Sequence, residues 1–194
     1  MAEVLSRERI LEAAEDVLRR FGPLKTTVVD VARVLNVSHG SIYRHFDSKA
    51  ALRDAVVETW LKRTSDPLLL IAQSSDPPRQ RLRRWFDALL AAKRQKVGAD
   101  PELFRTAKAL FAEARSVVSN HVETLVGQIE LIIRDAIAAG EFTTADPHAA
   151  AQALFEATAR FHDPAHVLEW GDPEIDASFE RVYGLLLAGL QSPP

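Results

Sequence analysis

Residues 26–49 read TTVVDVARVLNVSHGSIYRHFDSK, two short helical patterns separated by only three or four residues. Thr27-x-x-Asp30 has the form of a capping box: a hydroxyl for the orphan N–H groups of a helix start and a carboxylate three residues on. Aspartate stands where Glu or Gln is usual. Val28, Val31, Ala32 and Leu35 then make a short apolar face. Asn36 follows, and asparagine tolerates the left-handed backbone that ends a helix and turns the chain sharply. Val37 is expected to tuck inward and Ser38 to cap a second helix, on which Ile42 and Phe46, four apart, face the core. His39, Gly40, Ser41, Tyr43, Arg44 and His45 are left for other faces, and a core has no use for that mixture.

The pattern predicts a helix–turn–helix, whose first helix braces across a DNA backbone while the second enters the major groove. Gly40 lowers helix stability by about 1 kcal/mol relative to alanine, but without a side chain it lets the helix lie close to a duplex. His39 and Ser41 are short donors and acceptors suited to base edges, whereas Tyr43, Arg44 and His45 can reach phosphates or bases. Lys49 falls in the first turn of the next helix. The helix dipole opposes a cation there, so a phosphate partner would make sense of it. The alternative is a short connector helix with an ordinary solvated face, in a helical protein-interaction module without specific DNA binding.

The stretch is similar to the DNA-binding region of the tetracycline-repressor (TetR/AcrR) family of bacterial transcriptional regulators. The resemblance covers about residues 7–55 and rests on Gly22, Thr26-Thr27, Asp30-Val31-Ala32, Leu35, Val37-Ser38, Gly40, Ile42-Tyr43, His45-Phe46 and Ser48-Lys49 with Leu52. Asn36 departs from the glycine often found there, and Arg44 occupies a variable position. The resemblance implies that Thr26, Thr27, Ser38, His39, Gly40, Ser41, Tyr43, Arg44, His45 and Lys49 are DNA-binding residues. It also implies an all-α homodimer with two recognition helices on a palindromic double-stranded operator. Residues 1–50 would form the helix–turn–helix domain, and residues 51–194 a helical domain that binds a small-molecule inducer and dimerises.

Composition agrees with a globular regulator. The 194-residue chain is 47% hydrophobic and 26% charged, with a net charge of −3 that argues against indiscriminate coating of nucleic acid. Charge is better placed than abundant: from Arg33 to Lys49 only Asp47 is acidic, which leaves a basic stretch across the motif. The absence of cysteine removes disulfide frameworks, cysteine zinc sites and thiol catalysis together. No apolar run approaches the ~20 residues needed to cross a bilayer, and residues 1–9 lack a signal-peptide apolar region. A cytoplasmic protein without membrane association is the expectation.

Along the chain the 3.6-residue period recurs and strict alternation does not, which predicts an all-α fold. A first helix at about 6–21 should bury Ile10, Ala13, Ala14, Val17, Leu18 and Phe21. Asp-Pro pairs occur at 66–67, 76–77, 100–101, 146–147, 163–164 and 172–173. Aspartate caps helices and proline suits a first turn, so those after Asp76, Asp100, Asp146 and Asp172 should open amphipathic helices. The run Arg79, Arg81, Arg83, Arg84, alternating with Leu82, Trp85 and Phe86, reads as a solvated helix face.

For the C-terminal region, the aromatic residues Trp60, Trp85, Phe86, Phe104 and Phe111 are candidates for an apolar pocket, though such stripes are more often plain core. Glu113 and His121 could orient a ligand there, and an apolar or aromatic inducer is expected. The last two long helices are alanine- and leucine-rich. By resemblance they pair with their copies through Ala153, Ala157, Phe179, Tyr183, Leu186 and Leu190. His162 and His166 have the i, i+4 spacing of metal ligands, but Pro164 between them should break the helix, so no metal or cofactor is expected. No Gly-rich phosphate loop, G-x-S-x-G or H-E-x-x-H is present, and no catalytic residue is assigned.

Overall fold

The computed structural model describes residues 5–22, 27–99 and 109–191. Helices α1 (Arg7–Phe21), α2 (Val28–Val34), α3 (His39–Tyr43), α4 (Lys49–Ala72) and α5 (Pro78–Ala99) come first. A helical turn at 109–113 precedes α6 (Arg115–Ala138), α7 (Pro147–Ala157), α8 (Ala159–His162), a 3-10 turn (Pro164–Glu169) and α9 (Ile175–Leu190). Among the described residues there is no strand beyond an isolated antiparallel bridge between Phe142 and Gln191. The all-α expectation holds.

The chain divides into two compact units, residues 1–62 with 100–120, and residues 63–99 with 121–194. In the first, α1 buries Ile10, Ala13, Ala14, Val17 and Leu18 against Val28, Val31, Ile42 and Phe46. Leu52, Val56 and Trp60 of α4 join the same core. The expected boundary at residue 50 therefore falls inside this unit, because the start of α4 supplies part of its apolar filling. Phe21 departs from its expected burial: it is 57% exposed as the last residue of α1, where Gly22 at φ +73° turns the chain away.

The second unit packs α5, α6, α7 and α9 around Leu82, Trp85, Phe86, Leu125, Ile129, Leu154 and Phe179. Asp146 caps α7 as expected, its carboxylate accepting from Ala149 N at 3.0 Å. Asp66-Pro67 opens no helix. α4 runs straight through Pro67, and Leu68 and Ala72 carry its apolar face into the second core. Asp100-Pro101 lies outside the described residues. Arg81 is not on a solvated face. It is 6% exposed, and its guanidinium donates to Ala72 O at 2.6 Å and to Asp135 Oδ2 at 2.7 Å.

Candidate nucleic-acid interface

The capping box at α2 is complete despite its aspartate. Thr27 Oγ1 accepts from Asp30 N at 3.2 Å, and Thr27 N donates back to Asp30 Oδ2 at 3.1 Å. The Thr27 side chain, then its backbone, then Arg33 hold the Asp30 carboxyl below its ordinary value. Asn36 adopts φ +53°, the left-handed turn that its side chain tolerates. Ser38 then caps α3, accepting from Ser41 N at 3.2 Å. Ile42, fully buried, and Phe46, 3% exposed, anchor α3 to the core.

What remains outside is the expected set. His39, Gly40, Tyr43 and Arg44 are exposed, while Ser41 and His45 are partly buried. His39 and Tyr43 share one face, their rings edge to face at 6.3 Å. Ser41 has a different setting: its hydroxyl lies 2.9 Å from Ser38 Oγ and accepts from Arg44 Nη2 at 3.2 Å. Those three side chains present one hydrogen-bonded edge. Lys49 is exposed at the first residue of α4, where Ser48 Oγ caps by accepting from Ala51 N at 3.0 Å. Thr26 lies outside the described residues.

Arg7 was not anticipated. Its guanidinium sits 4.4 Å from the Phe46 ring centroid and donates to His45 O at 3.3 Å, clasping the residues after α3 to the start of α1. Its only signal was a cation placed at the first residue of a helix.

Residues 10–56 match the family described as "Bacterial regulatory proteins, tetR family", and residues 78–183 match "Tetracyclin repressor-like, C-terminal domain". The chain belongs to the tetR family. TtgR, an HTH-type transcriptional regulator of Pseudomonas putida, is 38% identical over 71 residues. That stretch is 37% of this chain and 33% of TtgR, so the chain matches about a third of that relative's length. YhgD of Bacillus subtilis, an uncharacterized HTH-type regulator, aligns at 24% identity over 93% of this chain and 92% of its own. The solved structure of SmeT, the repressor of the Stenotrophomonas maltophilia multidrug efflux pump SmeDEF, has the same fold. It superposes with a TM-score of 0.69 at 18% identity, over 99% of this chain and 93% of its own.

The residues named for an apolar pocket fall in different places. Trp60 belongs to the first unit's core and Phe111 packs against it. Glu113 is exposed in the same unit and accepts from Arg53 Nη1 at 2.7 Å. Trp85, Phe86 and His121 are buried in the second unit, and Phe104 lies outside the described residues. The candidates are thus split between units. Trp85 and Phe86 are core: Phe86 lies 5.1 Å from the Trp85 ring and 5.6 Å from Tyr183.

The dimer candidates divide as well. Phe179 and Tyr183 are 3% and 4% exposed within the second unit, consumed by its own core. Leu186 and Leu190 are partly buried against that core, while Ala153 and Ala157 are exposed on α7. On α9 the open face is Gly184, Leu185 and Ala188, with Leu185 76% exposed. His162 and His166 do not share a ligand set. His162 Nε2 lies 3.1 Å from Phe155 O, and His166 Nδ1 lies 2.7 Å from Glu169 Oε1. Pro164 does end the helix between them.

Proposed function

We propose that the protein is a sequence-specific DNA-binding repressor that acts as a homodimer on a palindromic operator and is released by a small-molecule inducer. The supporting observation is α3 itself. A five-residue helix capped by Ser38 and pinned by Ile42 offers His39, Tyr43, Arg44 and the Ser41 hydroxyl outward, with Lys49 beside them in sequence at the start of α4. Such an arrangement sorts into short groups for base edges and longer or charged groups for phosphates. Two copies would supply the two half-sites, paired through the open faces of α7 and α9. The inducer would act from the second unit through α4, and it can do so only by binding the DNA-competent and released states with different affinity. Action in the cytoplasm belongs to this reading. Among the described residues no helix is long and apolar enough to cross a membrane.

Selection of binding sites from random duplex DNA at about 150 mM salt, where non-specific attraction is weakened, tests the reading directly. An enriched inverted repeat is the expected result. Recovery of no motif, with Tyr43→Ala behaving as the parent protein, would favour a protein partner on the same surface.

A further inference from the structure

The inward face of α5 changes character along its length. Leu82, Trp85, Phe86, Leu89 and Leu90 are buried, and one turn after them come Lys93, partly buried, and then Lys96, exposed. Within the second unit, α6 places His121, 9% exposed, ahead of Leu125 and Ile129. His121 Nε2 is buried with no hydrogen-bond partner. His162, at the end of α8, is 3% exposed and lies tilted against Phe155 with ring centroids 4.5 Å apart.

These groups sense one another within the second unit. The Lys93 charge disfavours protonation of both His121 and His162, and Lys96 adds to the effect on His121. Among the described residues the exposed Asp163 acts in the opposite sense, and it is the smallest of the influences on Lys93. Lys93 makes no ion pair among the described residues. Burial, reinforced by Lys96, pushes the Lys93 ammonium down to about 8, which still leaves it mostly protonated at neutral pH. Lys93 as a whole is partly buried, so it keeps some solvent contact.

An ammonium stripped of much of its water is unfavourable unless an anion pairs with it, and among the described residues no carboxylate forms an ion pair with Lys93. We propose that Lys93 and His121, with His162 behind them, form the headgroup site for an organic acid: a carboxylate on an apolar body. Lys93 supplies up to three N–H donors and His121 Nε2 one more in its neutral tautomer. Phe155 lies against His162, and the buried Leu90 precedes Lys93 by three positions on α5. The inference rests on the ligand-responsive reading above and narrows its inducer from an apolar molecule to an apolar acid.

The test uses the intact protein with octanoate and 2-naphthoate, each against its matched alcohol and amine, read by calorimetric titration and thermal unfolding. The acids are expected to bind and raise Tm, with the alcohols and amines about tenfold or more weaker, as loss of a charged hydrogen bond implies. Lys93→Met should abolish the preference for acid over alcohol and also raise Tm of the ligand-free protein, because an uncompensated charge has been removed. A merely structural lysine would do the reverse. His121→Phe reads the same preference should Lys93→Met not fold. Equal binding of acid and alcohol, no shift with either acid, or an acid preference surviving in both variants would each overturn the proposal. DNA selection is scored separately. Acid preference without DNA binding would sink the regulator reading and leave this site standing; DNA binding without acid preference would do the opposite.

Discussion

The Trp85 indole N–H donates to Gln128 Oε1 at 2.9 Å, and the other end of the Gln128 amide donates to Ser65 O at 3.0 Å. One side chain, 4% exposed, thereby ties α5, α6 and α4 together inside the second unit. Gln128→Leu keeps roughly the volume but leaves the fully buried Trp85 N–H without an acceptor and takes a donor from Ser65 O. Each buried group stripped of its partner is worth about 1–3 kcal/mol. Urea unfolding followed by tryptophan fluorescence should show a loss in that range, and a variant as stable as the parent would mean that the amide is dispensable.

The exposed face of α3 separates two kinds of DNA contact. Lys49→Ala should weaken operator and unrelated DNA alike and lower the slope of log affinity against log salt by about one, as expected for one phosphate contact. Tyr43→Ala should also lose affinity on all sequences, with little change in slope because its hydroxyl carries no charge. His39→Ala should instead alter which bases are preferred. Anisotropy titrations on an operator and a scrambled duplex distinguish them, and uniform losses for His39→Ala would remove it from base reading.

The exposed faces of α7 and α9 give a third expectation. Leu185 is 76% exposed, beside Gly184 and Ala188, whose small side chains allow close helix approach. A glutamate there would place charge in an apolar contact between copies. Leu185→Glu should sediment as a monomer and bind the inverted repeat at least tenfold more weakly, whereas Leu186→Ala, on the half-buried side, should chiefly lower Tm. A dimeric Leu185→Glu protein would place the interface elsewhere.

How much of this was legible depended on whether the information was local. The turn at Asn36, the caps at Thr27, Ser38 and Asp146 and the inward pair Ile42/Phe46 are set by residues within four positions of each other, so they could be read directly. Whether Trp85 is core or pocket depends on what stands opposite, and periodicity is the same in either case. The run Arg79–Arg84 misled for a related reason. Arg81 shares its inward face with Leu82 and Trp85, and only the distant Ala72 carbonyl and Asp135 make its burial tolerable. Lys93 was overlooked although the spacing Leu82, Phe86, Leu89, Lys93 put it on the inward face. Its chemistry was visible, but its neighbours His121 and His162 come from other helices.

Those two histidines make the molecule sensitive to acid. Burial, then Lys93, holds each at about 4, below the ordinary value of about 6.5. Both are therefore neutral in the folded protein and take up a proton on unfolding. For a base depressed in the fold, the unfolded chain binds more protons between the two values, so stability falls as pH drops from about 6.5 toward 4. Each contributes a slope of up to about 1.4 kcal/mol per pH unit in that window. His148 acts in the opposite sense. Its bond to Glu130 raises its value, so the stability it adds is present below 6.5 and fades as pH rises through the raised value. Lys93, at about 8, keeps its charge through this range, and the acid slope is assigned to His121 and His162. Urea midpoints measured from pH 7 to 4.5 should decline in the parent protein and flatten in His121→Phe/His162→Phe. An unchanged slope in the double variant would place the acid sensitivity in the carboxylates instead.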